Sequence, residues 1–278
     1  VDVPRPFPEA AVIEVPARRL RGGRIEEASD RLAAEAPLEI RFGGRPFTVL
    51  MRTPGHDEEL VAGFLLTEGI VETAADLASL AHPEALLDAD CRNVVEVELA
   101  PGRASAPPSR AFYASASCGV CGKSSISDLA VRAPVVRSKL AVPSALLESL
   151  PARLRAEQPA FDVTGGLHAA GLFDAAGARL AVREDIGRHN AVDKLVGWAL
   201  GGGRLPLADA ILVVSGRLGF EIVQKAIVAG IPLVAAVGAA SSLAVALAES
   251  HGVTLAAFVR PGSLTVFGEP ARVLPSEA

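Results

Sequence analysis

Apolar positions change period several times along this chain, and each change predicts an element. AAVIEV (residues 10–15) reads as a short strand in a Pro- and Arg-rich leader of 37 residues. LEIRF and PFTVLMR (38–42 and 46–52) flank Gly43-Gly44 and read as a β-hairpin. Thr53-Pro54-Gly55-His56-Asp57 is a turn into a helix over 57–69, where Leu60, Val61, Phe64, Leu65 and Leu66 follow helical spacing and Gly69 ends the run. VVEVEL (94–99) alternates as a strand does, and AFYAS (111–115) is expected to be its partner.

From residue 143 the pattern changes. PSALLESLPARLRAEQP (143–159) is helical, with Pro151 expected to break or kink it. HAAGLFD and RLAVRED (168–174 and 179–185) form a hairpin. HNAVDKLVGWAL (189–200), GFEIVQKAIVAG (219–230) and SSLAVALAESHG (241–252) read as helices. They alternate with the apolar strands AILVVSG (210–216), PLVAAVG (232–238) and VTLAAFV (253–259). Such alternation implies parallel βαβ units in a three-layer α/β/α domain. The expected organisation is an α+β domain over 1–114, a connector over 115–142 and an α/β domain over 143–278.

Composition sharpens this picture. Half of the 278 residues are hydrophobic but only 4% are aromatic, so the core is built from Ala, Val, Leu and Ile, as in buried strands covered by Ala/Leu helices. A net charge of −5 argues against a general nucleic-acid binder, which would carry a basic stripe. Residues 226–248 are apolar enough to suggest a membrane span. Pro232, Gly238 and Ser241-Ser242 punctuate them, and strand-loop-helix explains them better, so no membrane partner is expected. VDVPRPFPEAAV lacks the charged and apolar regions of a secretory signal, and the three cysteines are an odd number. Reduced thiols and a cytoplasmic setting are the expectation.

In an open α/β sheet, ligands bind beyond the carboxyl ends of the strands. Three such ends carry small-residue loops: Ser215-Gly216-Arg217, Gly238 to Ser242, and Arg260-Pro261-Gly262-Ser263. Small residues let backbone N–H groups approach a ligand, and Arg217 and Arg260 can add bidentate phosphate contacts. A nucleotide or phosphorylated cofactor fits this pattern, whereas any one loop alone reads equally well as a turn. The densest polar run is 183–194, REDIGRHNAVDK. His189 or Asn190 can cap the following helix. Glu184, Asp185, Arg188 and His189 can alternatively orient a ligand or move protons, since capping alone does not require so many charged types. His168 follows Thr164-Gly165-Gly166 and faces the same region on this reading, His56 belongs to a helix N-terminus, and His82 and His251 read as structural.

Two of the cysteines form Cys118-Gly-Val-Cys121. On spacing alone the pair can hold zinc, cycle through a disulfide or carry sulfur. Structural zinc needs four ligands, and no second pair is present. A zinc deaminase would show H-x-E ahead of P-C-x-x-C; there is no H-x-E, and Ser117 precedes Cys118. Gly119 and Gly122 predict a flexible exposed loop, and Lys123 favours a thiolate; both suit sulfur carriage. Cys91, beside Arg92, reads as incidental.

The ordered segments RTPGHDEELVAGFLLTEGIV (52–71), SCGVCGK (117–123), GGLHAAGLF (165–173), REDIGRHNAVDKLVG (183–197), SGRLGFEIVQKA (215–226) and FVRPGSLTVFG (258–268) together resemble the FdhD family of formate dehydrogenase accessory sulfurtransferases. The resemblance runs from about residue 38 to 272. It implies an enzyme that accepts sulfur from a cysteine desulfurase as a persulfide on Cys118, assisted by Cys121. It implies transfer of that sulfur to the molybdenum of bis(molybdopterin guanine dinucleotide), a bound substrate, before its insertion into formate dehydrogenase. The cofactor-contacting segment would comprise Phe258, Val259, Arg260, Pro261, Gly262 and Ser263, joined on the residue reading by Ser215, Gly216, Arg217, Gly238 and His189. A cytidine-deaminase-like C-terminal domain without that enzyme's zinc signature, no permanently bound metal, and a homodimer are the other implications. A non-catalytic cofactor chaperone and a zinc-dependent deaminase-like hydrolase are the competing readings.

Overall fold

Alternation in the N-terminal third builds two sheets of different character. The computed structural model describes residues 10–83, 91–102 and 133–276. β1 (Val12–Arg21) and β2 (Arg24–Ala33) form a two-stranded antiparallel ribbon turned by Gly22-Gly23, with Leu20 and Ile25 both 70% exposed. The expected strand at 10–15 is thus the start of a longer one. Its partner, RIEEASDRLA, has polar residues on both faces and no period-2 signal. β3 (Ala36–Phe42) and β4 (Arg45–Arg52) form the expected hairpin and join β6 (Val94–Leu99) and β5 (Leu77–Ala81) in a sheet of order β4-β3-β6-β5. β5 is short and half exposed, and its pattern predicted nothing. The expected strand at 111–115 lies outside the described residues.

α1 (Asp57–Thr67) leaves β4 through the Thr53–His56 turn, with His56 as its N-cap in the left-handed region (φ 57°). Two 2-residue strands, β7 (Val142–Pro143) and β14 (Val273–Leu274), pair in parallel. α2 (Ser144–Arg155) runs through Pro151 rather than ending there. Its Leu147, Leu150 and Leu154 are buried on one stripe, so packing holds the turn whose backbone bond proline removes. α3 (Pro159–Thr164) follows and ends on Gly165 at φ 65°.

The larger sheet contains β8 (His168–Phe173), β9 (Arg179–Asp185), β10 (Ile211–Val214), β11 (Leu233–Ala236), β12 (Thr254–Arg260) and β13 (Ser263–Gly268) in the order β13-β12-β11-β10-β8-β9. Parallel pairing is confined to β10, β11 and β12. β9 and β13 are antiparallel because hairpins deliver them, and β8 lies antiparallel to β10. The central strands are buried on both faces. Leu212, Val214, Val234, Ala236, Leu255 and Ala257 belong to a core shared with α4 (Arg188–Gly201), α5 (Phe220–Val228) and α6 (Ser242–Ser250). Ile211, Val213, Leu233, Ala235 and Ala256 face a second core beneath α2. The smaller sheet and α1 contribute to the first of these cores.

α1 and α4 cross with almost no separation. A Cβ on Gly63 would stand 1.9 Å from the Asp193 carbonyl oxygen, and one on Gly197 would stand 1.8 Å from that of Glu59. Glycine at both positions is what lets the backbones touch. Among the described residues, no helix is long and apolar enough to cross a membrane.

Candidate functional site

The three strand-end loops meet. Gly238 donates its N–H to the Gly216 carbonyl at 3.1 Å, Leu218 N–H bonds Ala239 O at 2.9 Å, and Phe258 N–H bonds Gly238 O at 3.0 Å. A Cβ on Gly238 would stand 2.8 Å from the Gly216 oxygen, so the contact needs glycine. Ser215 is pinned on both sides: its N–H donates to Ala169 O and its Oγ accepts from the Ala169 N–H, each at 2.9 Å. Arg217 and Arg260 are exposed, and among the described residues neither has a carboxylate partner. Gly262 N–H donates to Glu148 Oε2 at 2.7 Å, which ties the Pro261-Gly262 turn to α2. Ser263 is exposed.

Phe258 is the conspicuous residue of this edge. It lies at a β-bulge between Ala257 and Arg260, holds φ at 53°, and leaves half of its side chain in solvent. A bulky residue in the left-handed region stores strain of roughly 1–3 kcal/mol, and such strain clusters at ligand sites. Val259, predicted beside it, points the other way into the core beneath α2 and is 2% exposed.

Behind the loops opens a cavity of about 530 Å³. Ser215, Val237 and His168 form one side of it, and Arg155, Gln158 and Phe161 of α2, α3 and their connection form the other. The sequence pointed to the first side only. The second reads as an ordinary helix, and the Gly165-Gly166 break before β8 was its one signal. His168 is half-buried; burial first, then the neighbouring Arg188 and His189, hold its pKa below the usual imidazole value. A neutral His168 can accept or donate one hydrogen bond at this wall.

The polar run 183–194 does something different from what its density suggested. Asp185 is fully buried and accepts from Gly187 N–H (2.8 Å), Asn190 Nδ2 (2.9 Å) and Thr53 N–H (3.2 Å), with Lys194 Nζ at 2.7 Å. Lys194 also donates to Thr53 O at 3.0 Å, and Asn190 to Met51 O at 2.8 Å. Glu184 accepts from Ala160 and Phe161 N–H, closing the start of α3. These groups sew α4 and β9 to the turn before α1. Neither His189 nor Asn190 caps α4, whose N-cap is Gly187. His189 is buried and, among the described residues, neither ring nitrogen has a hydrogen-bond partner; its Nε2 lies 3.7 Å from Glu221 at the start of α5. The neighbouring His189 ring is the largest influence holding the Glu221 carboxyl down to about 2, against the opposing effect of burial and with help from its own backbone N–H and Arg188. His189 therefore sits beneath the edge rather than on it. His82 and His251 make structural contacts, through Nδ1 to Val94 O and to Leu247 O respectively.

Cys118 and Cys121 lie outside the described residues, as does the side chain of Cys91. Among the described residues, no three His, Cys, Asp or Glu side chains group as metal ligands would.

The sequence profile of the FdhD/NarQ family matches residues 33–274, a span that takes in the α1 turn, the cysteine pair and all three strand-end loops. The chain belongs to the FdhD/NarQ family. It is similar to the sulfur carrier protein FdhD of Mycolicibacterium paratuberculosis, 49% identical over 94% of this chain and 100% of that one. The FdhD of Mycobacterium tuberculosis is 48% identical over 92% and 96% of the two chains. A crystal structure of a protein assigned as a formate dehydrogenase accessory protein from Desulfotalea psychrophila superposes with a TM-score of 0.74 at 28% identity, covering 97% of this chain and 100% of that one. In this FdhD/NarQ chain, the ribbon strand β1 precedes the matched span and the strand-edge cavity falls within it.

Proposed function

We propose that this chain is a cytoplasmic sulfurtransferase that carries sulfur from a cysteine desulfurase to the molybdenum of bis(molybdopterin guanine dinucleotide), for delivery to formate dehydrogenase, and that it works as a homodimer. The observation that carries the reading is near-half identity, over almost the full length, to relatives that bear the name sulfur carrier protein. On this reading the Cys118 thiolate attacks the outer sulfur of the donor's persulfide. The donor leaves as a thiolate, and Cys118 keeps the sulfur as Cys118–S–S⁻. Attack of the Cys121 thiolate on the inner sulfur then forms a Cys118–Cys121 disulfide and expels the outer sulfur as sulfide, which molybdenum takes. The two electrons come from the cysteine pair, and a thiol reductant restores it.

The strand edge supports the cofactor half of the proposal. Gly238 packs against the Gly216 backbone without a Cβ, which brings the strand-end loops together at one edge. Arg217 and Arg260 supply positive charge that no carboxylate among the described residues offsets, and Phe258 offers a ring face to a guanine. His189 acts from below by fixing the start of α5. The six-stranded unit is read as a deaminase-type layering without the zinc signature, in agreement with its helices on both faces.

Intact mass after incubation with a cysteine desulfurase and cysteine tests this. Wild type gains one sulfur that reductant removes, Cys118→Ala gains none, and Cys121→Ala gains sulfur but fails to release it. Formate dehydrogenase activation that survives Cys118→Ala would replace the reading with a cofactor chaperone.

A further inference from the structure

The β1–β2 ribbon lies almost wholly ahead of the span that the family profile matches, so family membership gives it no role. In an antiparallel ribbon, directly opposed residues share a face and successive residues alternate between faces. One face here carries Ile13, Val15, Ala17 and Ala28, all half-buried, and α3 packs against the ribbon. The outer face carries the opposed pairs Glu14–Arg31, Arg18–Glu27 and Leu20–Ile25, and all six residues are exposed. A two-stranded hairpin is marginal in water by itself, and one that ends on two bare aliphatic side chains gains from being covered.

The charges on the outer face say what would cover it. At one pair the glutamate is on β1 and the arginine on β2; four residues along, the order is reversed. The face therefore has no net charge, whereas a net charge of −5 sets whole copies of the chain repelling each other. A two-fold axis along the ribbon lays β1 of one copy over β2 of the other. Each residue then meets its complement: Arg18 faces Glu27 of the second copy, Glu14 faces Arg31, and Leu20 faces Ile25. A nucleic acid or an acidic protein would find no excess of positive charge on this face.

We propose that the outer face of the β1–β2 ribbon binds the same face of a second copy of this chain, arm against arm. This gives the proposed homodimer a contact surface and rests on that clause of the reading alone; sulfur transfer does not enter it. Two ten-residue strands make a face of roughly 33 by 10 Å, small beside the 800 Å² or so per partner of a standard interface, so a reversible, concentration-dependent dimer is expected.

Sedimentation equilibrium of the full chain over a range of concentrations tests this. Wild type is expected to pass from monomer to dimer. Leu20→Asp combined with Ile25→Asp sets like charges against each other at the apolar centre of the contact and should raise the dissociation constant by about tenfold or more. Both positions are exposed, so the variant is expected to fold, which an unchanged urea midpoint checks. Arg21→Glu alters the same tip on the opposite face and should leave the constant within about twofold of wild type. A dimer that withstands the Leu20→Asp, Ile25→Asp pair, or that Arg21→Glu weakens as much, would overturn the arm contact and leave the homodimer standing. A chain that stays monomeric up to about 1 mM would overturn both.

Discussion

At the seam between α1, β9 and α4, Asp185 is fully buried and meets four donors; at the carboxyl edge of the six-stranded sheet, Arg217 and Arg260 stand in solvent with no carboxylate partner among the described residues. The two regions draw on the same residue types to opposite ends. A buried charge is tolerable only when its lone pairs and protons are matched, so the seam consumes its polar groups internally. The edge leaves its own unmatched, shapes them with glycine, and holds Phe258 in a strained, exposed pose. Density of charge in a sequence therefore marks a joint as readily as a ligand site. What distinguishes the ligand site is polar capacity left over after the fold is satisfied.

The comparison breaks first if the seam proves dispensable. Asp185→Ala leaves Lys194 buried without its counter-ion and is expected to cost about 3–5 kcal/mol, read as a lowered urea midpoint. Gly63→Ala drives a methyl into the Asp193 carbonyl and is expected to cost about 3 kcal/mol by the same measurement, or to prevent folding.

Acid sharpens the contrast further. Burial works to raise the Glu59 carboxyl, but the bidentate Arg183 guanidinium (2.6 and 2.7 Å), with help from His56, brings it from 4.5 down to about 2. The contribution is fully present above pH 4.5 and is lost as the pH falls through about 2, because the unfolded chain takes the proton first. Arg183→Ala should cost roughly 1–3 kcal/mol at neutral pH and flatten the fall in stability over that acid window.

The edge should respond in the opposite sense. Phe258→Gly relieves the left-handed strain and is expected to raise stability by about 1 kcal/mol while weakening binding of guanosine diphosphate at least tenfold. Arg217→Ala and Arg260→Ala should leave the urea midpoint within about 0.5 kcal/mol of wild type and lower affinity for the same nucleotide. A loss of stability in either arginine variant would erase the distinction between the regions.

Much of this was legible in the chain because period and punctuation agreed. The β3–β4 hairpin, α1, and the β10-to-β12 alternation have strong apolar patterns bounded by glycine, and their loops converge as strand-end geometry requires. What pattern could not carry was pairing. β13 and β8 run antiparallel because of which neighbour each hairpin or crossover reaches, a tertiary outcome. β2 has no apolar face at all, and Pro151 is overridden by three buried leucines. At the site, Ser215, Gly216 and Gly238 could be found from loop position and Phe258 only from the family resemblance, whereas the α2–α3 wall could not be found from either. Asp185 and His189 were visible as unusual, but whether a buried acid is a hub or a catalyst depends on partners that lie more than a hundred residues away, such as Thr53.

The glycine-on-backbone crossing of α1 with α4 also dictates an order of events at the ribosome. Nine residues of α1 are buried, and its terminal Thr67 hydroxyl bonds Asp193 across 126 residues of sequence. At typical synthesis rates the partner helix emerges about 6–25 s after α1 does. Through that interval the face of α1 that α4 covers has no partner, so the nascent chain is exposed to aggregation well before the segments that bear the strand-edge loops exist.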